Sequence, residues 1–469
     1  MSRINTNIPS LVAQRILNGQ NMRLNESLVR LSTGLRINTG KDDPAGLIAS
    51  EALRAERVAI GAAMTNVTRA NNVVATAEGG LDEINALLTE LEDLLDRSSN
   101  EAGISSDERD ANQLQMDAIL DSINRIANST EFQGKRLLDG TLGYTTSGLS
   151  TTNFTDSNIK AARIPNGGSR AVVVEVTQSA QTALLNYSGS ATGAGTTSIE
   201  IKGNIGSEVF SFASQTTVSA VAAAINQSTG LVGVSAVASA GGLQISSTGY
   251  GSEQFVSISV LAGAFAIVGG NTDDFGQDAG VTINGVAANV DGLTAEIQTT
   301  ALALELDLST TFATTVGSSS TFHITGGGAD FMISPTVSLA GLASLGVQSL
   351  TTGSLGGSEG ALSTLASGQA NQLRSGNYAI GQRIIRDAQT KVSQLRGRLG
   401  AFQRNTLETT RNALAITLEN TTAAESVIRD TDFAGETSQL TRQQILALAA
   451  TSMLRLANQQ PQQALALLS

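Results

Sequence analysis

The two ends of this chain resemble each other in composition and differ from its middle. Residues 1–140 and 366–469 are rich in Leu, Ile, Ala, Asn, Gln and Arg, and they carry long helical patterns. Residues 141–365 are rich in Gly, Ser, Thr, Ala and Val, and neither Lys nor Arg occurs between Lys202 and Arg374. A chain that begins and ends in the same kind of helix can bring its ends together as one rod. The sequence therefore predicts a rod with the middle as an insertion, which suits a polymerising subunit better than an enzyme.

The N-terminal segment carries a heptad pattern of leucines. The pattern consists of Leu17, Leu24, Leu28, Leu31 and Leu35, at spacings of seven, four, three and four residues. It is extended towards the N-terminus, at spacings of four and three, by Ile4, Ile8 and Leu11. Apolar residues at these spacings form one stripe along a helix. The pattern thus predicts a helix over about residues 4–35 that packs against another helix.

A second helix is predicted to begin at Pro44. Asp43 is suited to the N-cap position, and Pro44 to the first helical position, where a backbone N–H is not needed. Leucines and isoleucines recur at three and four residues further along, so the helix is expected to continue to about Asn100. Beyond a break at Gly103, either Ser105 or Ser106 can cap a third helix.

The C-terminal segment repeats apolar residues at helical spacing. One such set is Val392, Leu395, Leu399 and Phe402. Residues 430–432 read DTD and predict a helix break followed by a cap. The last helix, over about residues 435–467, has two adjacent stripes. These are Ile445, Leu448, Ser452 and Leu456, and beside them Leu446, Ala450, Met453 and Ala457. Because this helix is apolar over a wide arc, one partner helix would not cover it. Periodicity alone also fits a generic coiled-coil scaffold, since it does not identify the partner.

The middle of the chain changes period. Strands are predicted at residues 172–176, 208–212, 243–246 and 255–260, between turns of Gly, Ser and Asn. A short helix is predicted from Val218, Val221, Ala222 and Ile225. The Ser/Thr and Ala content also fits disorder, but β-branched residues at strand spacing favour folded β-rich domains.

Composition excludes several classes of partner and chemistry. The 469 residues carry a net charge of −12, which opposes binding to nucleic acid or to an anionic membrane surface. No 18-residue apolar run occurs, so no membrane insertion is expected. The absence of cysteine excludes disulfides and thiolate metal sites. The N-terminal residues lack the apolar segment of a secretory signal, so an extracellular location would require export without a cleaved Sec signal.

Motifs for catalysis or cofactor binding are weak. His323 is the single histidine, which rules out an HExxH zinc helix, and no GxSxG motif accompanies it. Asp273, Asp274 and Asp278 could gather a calcium ion, but their spacing does not match an EF-hand loop. We therefore expect no enzymatic activity, no metal site and no cofactor.

Two long motifs, one at each end of the chain, resemble a known family. Residues 30–38 (RLSTGLRIN) and 41–47 (KDDPAGL) closely resemble the N-terminal signature of bacterial flagellins. The C-terminal counterpart is matched by residues 421–426 (TTAAES), 428–430 (IRD), 444–446 (QIL), 453–454 (ML), 457–459 (ANQ) and 461–462 (PQ), together with Asp432. The resemblance covers about half of the chain, and the middle matches only loosely.

The resemblance implies a multidomain α plus β protein that polymerises into the extracellular flagellar filament, the propeller for swimming. Coiled-coil rods from the two ends would pair with each other. Residues 1–43 and 425–469 would form an inner terminal coiled-coil domain, and 44–142 with 366–424 a helical rod domain. Residues 143–365 would form one or more β-rich, surface-exposed central domains.

The resemblance also implies which residues and partners take part in assembly. The assembly residues on the N-terminal side would be Leu17, Leu24, Leu28, Leu31, Leu35, Arg36, Asn38, Asp42 and Asp43. Those on the C-terminal side would be Ile445, Leu448, Met453, Leu456, Ala457, Asn458 and Gln459. The partners would be further copies of the chain, the flagellar type III export apparatus, an export chaperone, and the cap and hook-associated proteins.

Two alternative functions stay open from the sequence. A hook–filament junction protein shares the same terminal architecture but is used in small numbers. Alternatively, the central domains of a filament subunit could act as an adhesin. An enzyme within the insertion is the weakest alternative, because charged residues are sparse there.

Overall fold

A computed structural model describes residues 6–100, 102–164, 168–239, 242–299, 301–357 and 359–466. The chain divides into two compact units. The first unit comprises Met1–Arg69, Met332–Gly341 and Arg404–Ser469, and the second comprises Ala70–Phe331 and Leu342–Gln403. The domain limits expected from the sequence, after residues 43, 142, 365 and 424, differ from these boundaries and stay a prediction.

Long helices occupy both ends of the chain. The α-helices of the described ranges are α1 (Ile8–Thr33), α2 (Pro44–Ser99), α3 (Ser106–Ser129), α4 (Val218–Gln227), α5 (Thr229–Val232), α6 (Thr310–Thr314), α7 (Tyr378–Ala401), α8 (Thr409–Arg429) and α9 (Phe433–Ala466). A π-helical segment, Phe402–Glu408, lies between α7 and α8, and short 3₁₀ turns lie at Leu339–Gly341, Leu362–Leu365 and Leu373–Ser375.

Strands occupy the middle of the chain. They are β1 (Glu131–Phe132), β2 (Lys135–Arg136), β3 (Tyr144–Ser147), β4 (Phe154–Ala162), β5 (Arg170–Gln178), β6 (Leu184–Tyr187), β7 (Thr197–Lys202), β8 (Ser207–Phe212), β9 (Val234–Ser239), β10 (Gly242–Ser247), β11 (Phe255–Ala262), β12 (Asp273–Phe275), β13 (Gly280–Ile283), β14 (Val286–Ala287), β15 (Asn289–Asp291), β16 (Thr294–Gln298), β17 (Leu302–Leu308), β18 (Ser319–Gly327), β19 (Ala329–Met332), β20 (Leu342–Leu345), β21 (Gly356–Gly357) and β22 (Gly360–Ala361). The predicted fold class, terminal helices around a β-rich insertion, is confirmed.

The predicted helix starts are confirmed by their caps. The carboxylate of Asp43 accepts a hydrogen bond from the backbone N–H of Gly46 at 2.9 Å, and α2 begins at Pro44. At the start of α3, the Ser105 hydroxyl accepts from the N–H of Glu108, whose carboxylate in turn accepts from the N–H of Ser105. This reciprocal capping box satisfies N–H groups that have no partner inside the helix.

The predicted helix ends are confirmed as well. α1 ends at Gly34, whose φ of 75° is a left-handed conformation that glycine adopts without strain. The break predicted at residues 430–432 separates α8 from α9, and the Asp432 carboxylate accepts the N–H of Ala434 at 3.0 Å. Ile4, with which the first helix was predicted to begin, and residue 467, at the end of the last predicted helix, lie outside the described residues.

The second unit contains a helical core. On α2, the buried side chains are Leu81, Ile84, Leu88, Leu91 and Leu95. They recur at three and four residues, so they form one face of the helix. Helix α7 runs antiparallel to this part of α2, because Arg386 pairs with Glu92 at 3.1 Å and Arg396 pairs with Asp82 at 2.9 Å.

The second unit also contains two β cores. The first β domain packs the sheet β14-β13-β5-β18-β3 with the sheet β15-β16-β17-β4 around Phe322. The second β domain packs the sheets β12-β11-β7-β8 and β6-β10-β9 with α4 around Ile201, Val221 and Ile245. Each of the four predicted strands is confirmed within β5, β8, β10 or β11, and the predicted short helix is α4.

Two chain segments lie side by side where the first β domain leads into the second. The N–H of Gln181 donates to the carbonyl of Gln277 at 2.8 Å, and the N–H of Gln277 donates back at 2.9 Å. The neighbouring Gly276 leaves no room for a side chain, since a Cβ there would lie 2.4 Å from the carbonyl oxygen of Gly251. The two segments therefore form a short, close-packed bridge.

Asp278 ties the two β domains together beside this bridge. Its carboxylate accepts hydrogen bonds from the N–H and hydroxyl of Ser252, in the second β domain, and from the N–H of Gly292, in the first. Burial by itself would raise the pKa of Asp278, but these hydrogen bonds outweigh it and hold the pKa below 3.8. The ionised carboxylate is the form that accepts all three bonds.

Replacing Asp278 should loosen the link between the β domains. We expect Asp278→Ala to lower the free energy of unfolding by about 1–3 kcal/mol, because charged hydrogen bonds are lost. Since the folded-state pKa is lowered, this contribution is present above pH 3.8 and is lost as the pH falls through the folded-state pKa. Calorimetry of both chains across pH 2–6, about the range in which Asp278 titrates, measures this difference in the free energy of unfolding.

A matched control variant is Glu253→Ala. Its exposed carboxylate lies next to Ser252, on the loop that Asp278 binds, and makes no hydrogen bond or ion pair in the described structure. At pH 6, about two units above the ordinary pKa of an aspartate, both carboxylates are ionised in the unchanged chain. Equal stability of the two variants at this pH would contradict the role assigned to Asp278.

Candidate assembly surface

Helices α1 and α9 of the first unit form an antiparallel pair. Near the start of α1, the Asn7 side chain donates to the carbonyl of Ala457 at 2.8 Å, and the Ser10 hydroxyl donates to Asn458 at 2.7 Å. Near its end, Arg30 lies 3.9 Å from a carboxylate oxygen of Glu436. The chain ends thus pair along most of the length of both helices.

The contact between the two helices follows a heptad spacing and uses small and polar residues. The buried or partly buried positions on α1 are Ser10, Ala13, Leu17, Gly19, Gln20, Leu24, Ser27, Arg30 and Leu31, and Gly34 follows the helix. On α9 they are Glu436, Leu440, Gln443, Ala447, Ala450, Leu454 and Ala457. The α9 series alternates spacings of four and three, and the α1 series contains the same alternation between Ala13 and Leu31, as expected of two helices that pack along a seam. Small residues in the seam let the helices approach closely but bury little apolar area.

Several polar side-chain atoms along this contact lack hydrogen-bond partners among the described residues. Buried side-chain atoms without a partner include Oε1 of Gln20, Nε of Arg30, Oε1 of Glu436 and Oε1 of Gln443. Each such atom costs about 1–3 kcal/mol when it is left unpaired. The pair of helices is therefore weakly stabilised by its own contacts.

Large apolar side chains remain exposed on both helices. On α1 these are Ile8, Leu11, Val12, Ile16, Met22, Leu28 and Val29, and on α9 they are Ile445, Leu446, Leu448, Met453 and Leu456. They are 41–70% exposed. Some of them, with Ala13 and Gln20, line a groove of ≈ 580 Å³ between the two helices. An apolar surface of this kind marks a site of association.

The leucines predicted from the heptad differ in their positions. Leu17, Leu24 and Leu31 lie in the seam and are partly buried, whereas Leu28 is 45% exposed and lies outside it. Leu35 follows the helix and forms an isolated β-bridge with Asp430. Of the predicted C-terminal residues, Ala457 is buried in the seam, while Asn458 and Gln459 are exposed.

The N-terminal motif folds the joint between α1 and α2. The backbone N–H of Arg36 donates to the carbonyl of Arg429 at 2.7 Å, and its guanidinium donates to the carbonyl of Ile428 at 2.6 Å. The Asn38 side chain donates to the carbonyl of Leu35 at 2.9 Å. These bonds hold the end of α1 against the end of α8.

Asp42 organises the turn that follows. Its carboxylate accepts hydrogen bonds from the N–H groups of Thr39 and Asn38 and from the Thr39 hydroxyl. The N–H of Thr39 is the largest cause that lowers the pKa of Asp42 below 3.8. Asp42 and Asp43 thus determine local backbone structure, and neither faces the exposed apolar surface.

Two ion pairs at this joint were not predicted from the sequence. Arg429 pairs with Glu51 at 2.8 Å, and Arg57 pairs with Glu425 at 3.2 Å. The partners are more than 360 residues apart, so no local pattern could have found them.

The described residues contain no group of three or more His, Cys, Asp or Glu side chains arranged to hold a metal ion. Asp274 and Asp278, considered above for calcium, accept backbone hydrogen bonds instead. His323 is an exposed residue of β18. In the same parts of the chain, no helix has the length and apolar character needed to cross a membrane.

Comparisons with known proteins agree with the architecture. Residues 4–142 match the profile of the bacterial flagellin N-terminal helical region, and residues 383–468 match that of the C-terminal helical region. Flagellin A of Vibrio anguillarum is 30% identical over 470 residues, which cover 99% of each chain. Flagellin E of Vibrio cholerae is 44% identical over 137 residues, which cover 29% of this chain and 36% of that one.

Among solved structures, a flagellar hook associated protein-3 from Legionella pneumophila is similar at 11% identity, over 80% of this chain and 97% of that one, with a TM-score of 0.31. That likeness is too weak to argue from. The full-length match to flagellin A, with both terminal profiles in order, establishes the family. This chain belongs to the bacterial flagellins, the structural subunits of the extracellular flagellar filament.

Proposed function

We propose that the exposed apolar face of α1 and α9 drives this chain to polymerise, with neighbouring copies enclosing it near the filament axis. The observation that carries this proposal is that large apolar side chains on both helices remain 41–70% exposed after the helices have paired. Burial of apolar surface is the main favourable term in association. Repeated head-to-tail contacts whose rotation does not close generate a filament.

The predicted assembly residues have four different roles in the proposal. Ile445, Leu448, Met453, Leu456 and Leu28 contact neighbouring copies. The partly buried or buried residues Leu17, Leu24, Leu31 and Ala457 join the two helices within one chain. Arg36, Asn38, Asp42 and Asp43, with Leu35, hold the joint that orients α1, and Asn458 and Gln459 lie at the far end of the pair.

The proposed domain roles follow the same logic. Residues 1–43 and 425–469 act as the inner domain, 44–142 and 366–424 as the rod, and 143–365 as the exposed outer part. Copies of the chain leave the cell through the flagellar type III apparatus with the help of a chaperone. The lack of cysteine supports export of an unfolded chain, because no disulfide can trap it. The cap and hook-associated proteins contact the two ends of the filament, and the chain has no enzymatic role.

The substitution Ile445→Asp tests this proposal. Ile445 is 61% exposed, so a carboxylate there leaves the single chain folded. In a filament, however, the carboxylate would be buried without a partner, at a cost of several kcal/mol. We expect the concentration needed for polymerisation to rise at least about tenfold, since 1.4 kcal/mol corresponds to a factor of ten. Sedimentation and electron microscopy of the purified protein measure it.

The control variant is Thr451→Asp. Thr451 is also exposed on α9, but it lies about a third of a turn away from Ile445. We expect it to polymerise nearly as the unchanged chain does.

Long filaments from the unchanged chain alone would also distinguish a filament subunit from a junction protein. Equal polymerisation by the Ile445→Asp variant would refute the assignment of this face.

A further inference from the structure

A cleft of ≈ 390 Å³ lies in the second unit. Its lining includes Asn158 and Lys160 of β4, Gln348, and Lys391 and Arg398 of α7. All of these residues belong to one compact unit. The cleft combines three cationic side chains in a chain whose net charge is −12.

Two of the three cations in the cleft are neutralised by carboxylates of the same chain. Lys160 lies 2.7 Å from Glu305 and also pairs with Glu296. Lys391 lies 3.2 Å from Asp156. These lysines consequently offer little free positive charge to a ligand.

Arg398 differs from the other arginines of α7. Arg383, Arg386 and Arg396 each form an ion pair with a carboxylate. Arg398 forms none within the described structure, and its guanidinium donates only to the carbonyl of Gly346. A guanidinium carries five N–H donors in a planar fork that matches a carboxylate.

The environment of Arg398 makes the missing partner costly. Burial lowers the pKa of Arg398, and the charge of Glu305, which is engaged by Lys160, acts in the opposite direction. An arginine remains protonated in proteins even so. A half-buried charge without a paired carboxylate is unfavourable. A carboxylate that pairs with the guanidinium of Arg398 would therefore stabilise the cleft.

The side chain of Asn158 also lacks a hydrogen-bond partner in this cleft. Its side-chain oxygen is buried and has no hydrogen-bond donor among the described residues. Buried polar atoms normally have a partner. Among the described residues, the cleft thus provides neither a carboxylate for Arg398 nor a donor for the Asn158 oxygen.

We propose that an acidic segment of a second copy of this chain docks in the cleft, with an Asp or Glu carboxylate on Arg398 and a hydroxyl or N–H donor on Asn158. This inference rests on the proposed polymerisation, which supplies the neighbouring copy. Charge complementarity favours such an occupant, because each copy has 41 acidic residues against 29 Lys and Arg. Acidic side chains without an ion pair or hydrogen bond in the described structure include Glu83, Asp107, Asp121 and Glu131, all of them exposed.

The first test uses the unchanged chain and phenylglyoxal, which modifies accessible arginines. Peptide mass spectrometry then compares the modification of Arg398 in monomers and in filaments. We expect at least a fivefold lower extent in filaments, with little change at Arg396, whose partner Asp82 belongs to the same chain. A filament in which Arg398 reacts as it does in the monomer would overturn this inference alone. Failure of the unchanged chain to form filaments would overturn the proposed function together with it.

The second test identifies the source of the carboxylate. The variant Arg398→Lys keeps the charge and supplies an amine that a carbodiimide couples directly to a touching carboxylate. Filaments are grown from an equal mixture of ¹⁴N- and ¹⁵N-labelled protein, with unchanged chain added if the variant assembles poorly alone. We expect mixed-isotope crosslinks from position 398, present in filaments and absent in monomers.

The control is Arg396→Lys, which should yield only same-isotope crosslinks to Asp82. Crosslinks from position 398 that are exclusively same-isotope, to Glu305 for example, would show that the partner lies in the same chain. Protection of Arg398 without any crosslink to a protein carboxylate would assign the site to a small anion. Either result would overturn docking by a second copy.

Discussion

Deletion of residues 436–469 is expected to yield a folded, soluble monomer that does not polymerise. The deletion removes nearly all of α9, and with it five of the twelve large exposed apolar side chains named on α1 and α9 and every seam partner of α1. Helix α1 then stands alone with 26 residues, and isolated helices bury too little surface to be stable in water. Electron microscopy and sedimentation at concentrations where the full chain forms filaments measure the outcome.

Circular dichroism and thermal unfolding provide the control for this deletion. The helical core and both β domains belong to the second unit, which ends at Gln403, so their unfolding transitions should not move. Filaments grown from the shortened chain would contradict the role of α9. Loss of the β-domain transitions would instead show that the deletion damaged folding.

The substitution Phe322→Ala is expected to destabilise the first β domain by about 3–5 kcal/mol, as is usual when a buried aromatic ring is removed. Phe322 is fully buried at 0% exposure, and its ring lies 5.9 Å from that of Phe154, edge to face. A residual cavity between the two sheets adds to the lost apolar burial. Urea or thermal unfolding of the monomer measures the change.

The matched control is Phe275→Ala. Phe275 belongs to the second β domain and is 62% exposed, so its loss should change stability by less than about 1 kcal/mol. The second β domain should also keep its own transition in the Phe322→Ala variant, because its core is separate. Similar losses from the two substitutions would show that the sheet contacts described for the first β domain contribute little.

Local chemistry explains how much of the helical architecture the sequence could predict. Asp43-Pro44, Ser105 and residues 430–432 are capping signals that act within three or four residues, and each marks a helix boundary in the structure. The strand that includes residues 172–176 was predicted because β-branched residues are concentrated there, and in the structure Val172, Val174 and Val176 are its buried members. Such signals do not depend on distant parts of the chain.

Pairing between distant residues could not be predicted. Strand β5 pairs with β13 and with β18, roughly 100 and 150 residues later in the chain, and no periodicity encodes such partners. The boundary between the two units also depends on packing between distant segments. Strands β4 and β17 were not predicted, although the leucines of β17 alternate at period two and are buried in the first β domain.

The assembly surface was predicted only in part. The spacing of leucines located the helix correctly, but it could not tell that Ala13, Gln20 and Ser27 share the seam with Leu17 and Leu24. Small residues carry a weak hydropathy signal, although they decide how closely two helices approach. The cleft around Arg398 has no sequence signal at all, because it joins residues of β4 and α7 that lie about 240 positions apart.

The paired segments at Gln181 and Gln277 have a consequence for how this chain can diversify. The polypeptide enters and leaves the second β domain at adjacent points, bonded to each other at 2.8 and 2.9 Å. Residues 182–276 are consequently one insertion whose two ends are adjacent. A two-residue hairpin, or another domain with neighbouring termini, can take its place. A subunit built this way can exchange the surface it shows to its surroundings while the machinery of self-association stays the same.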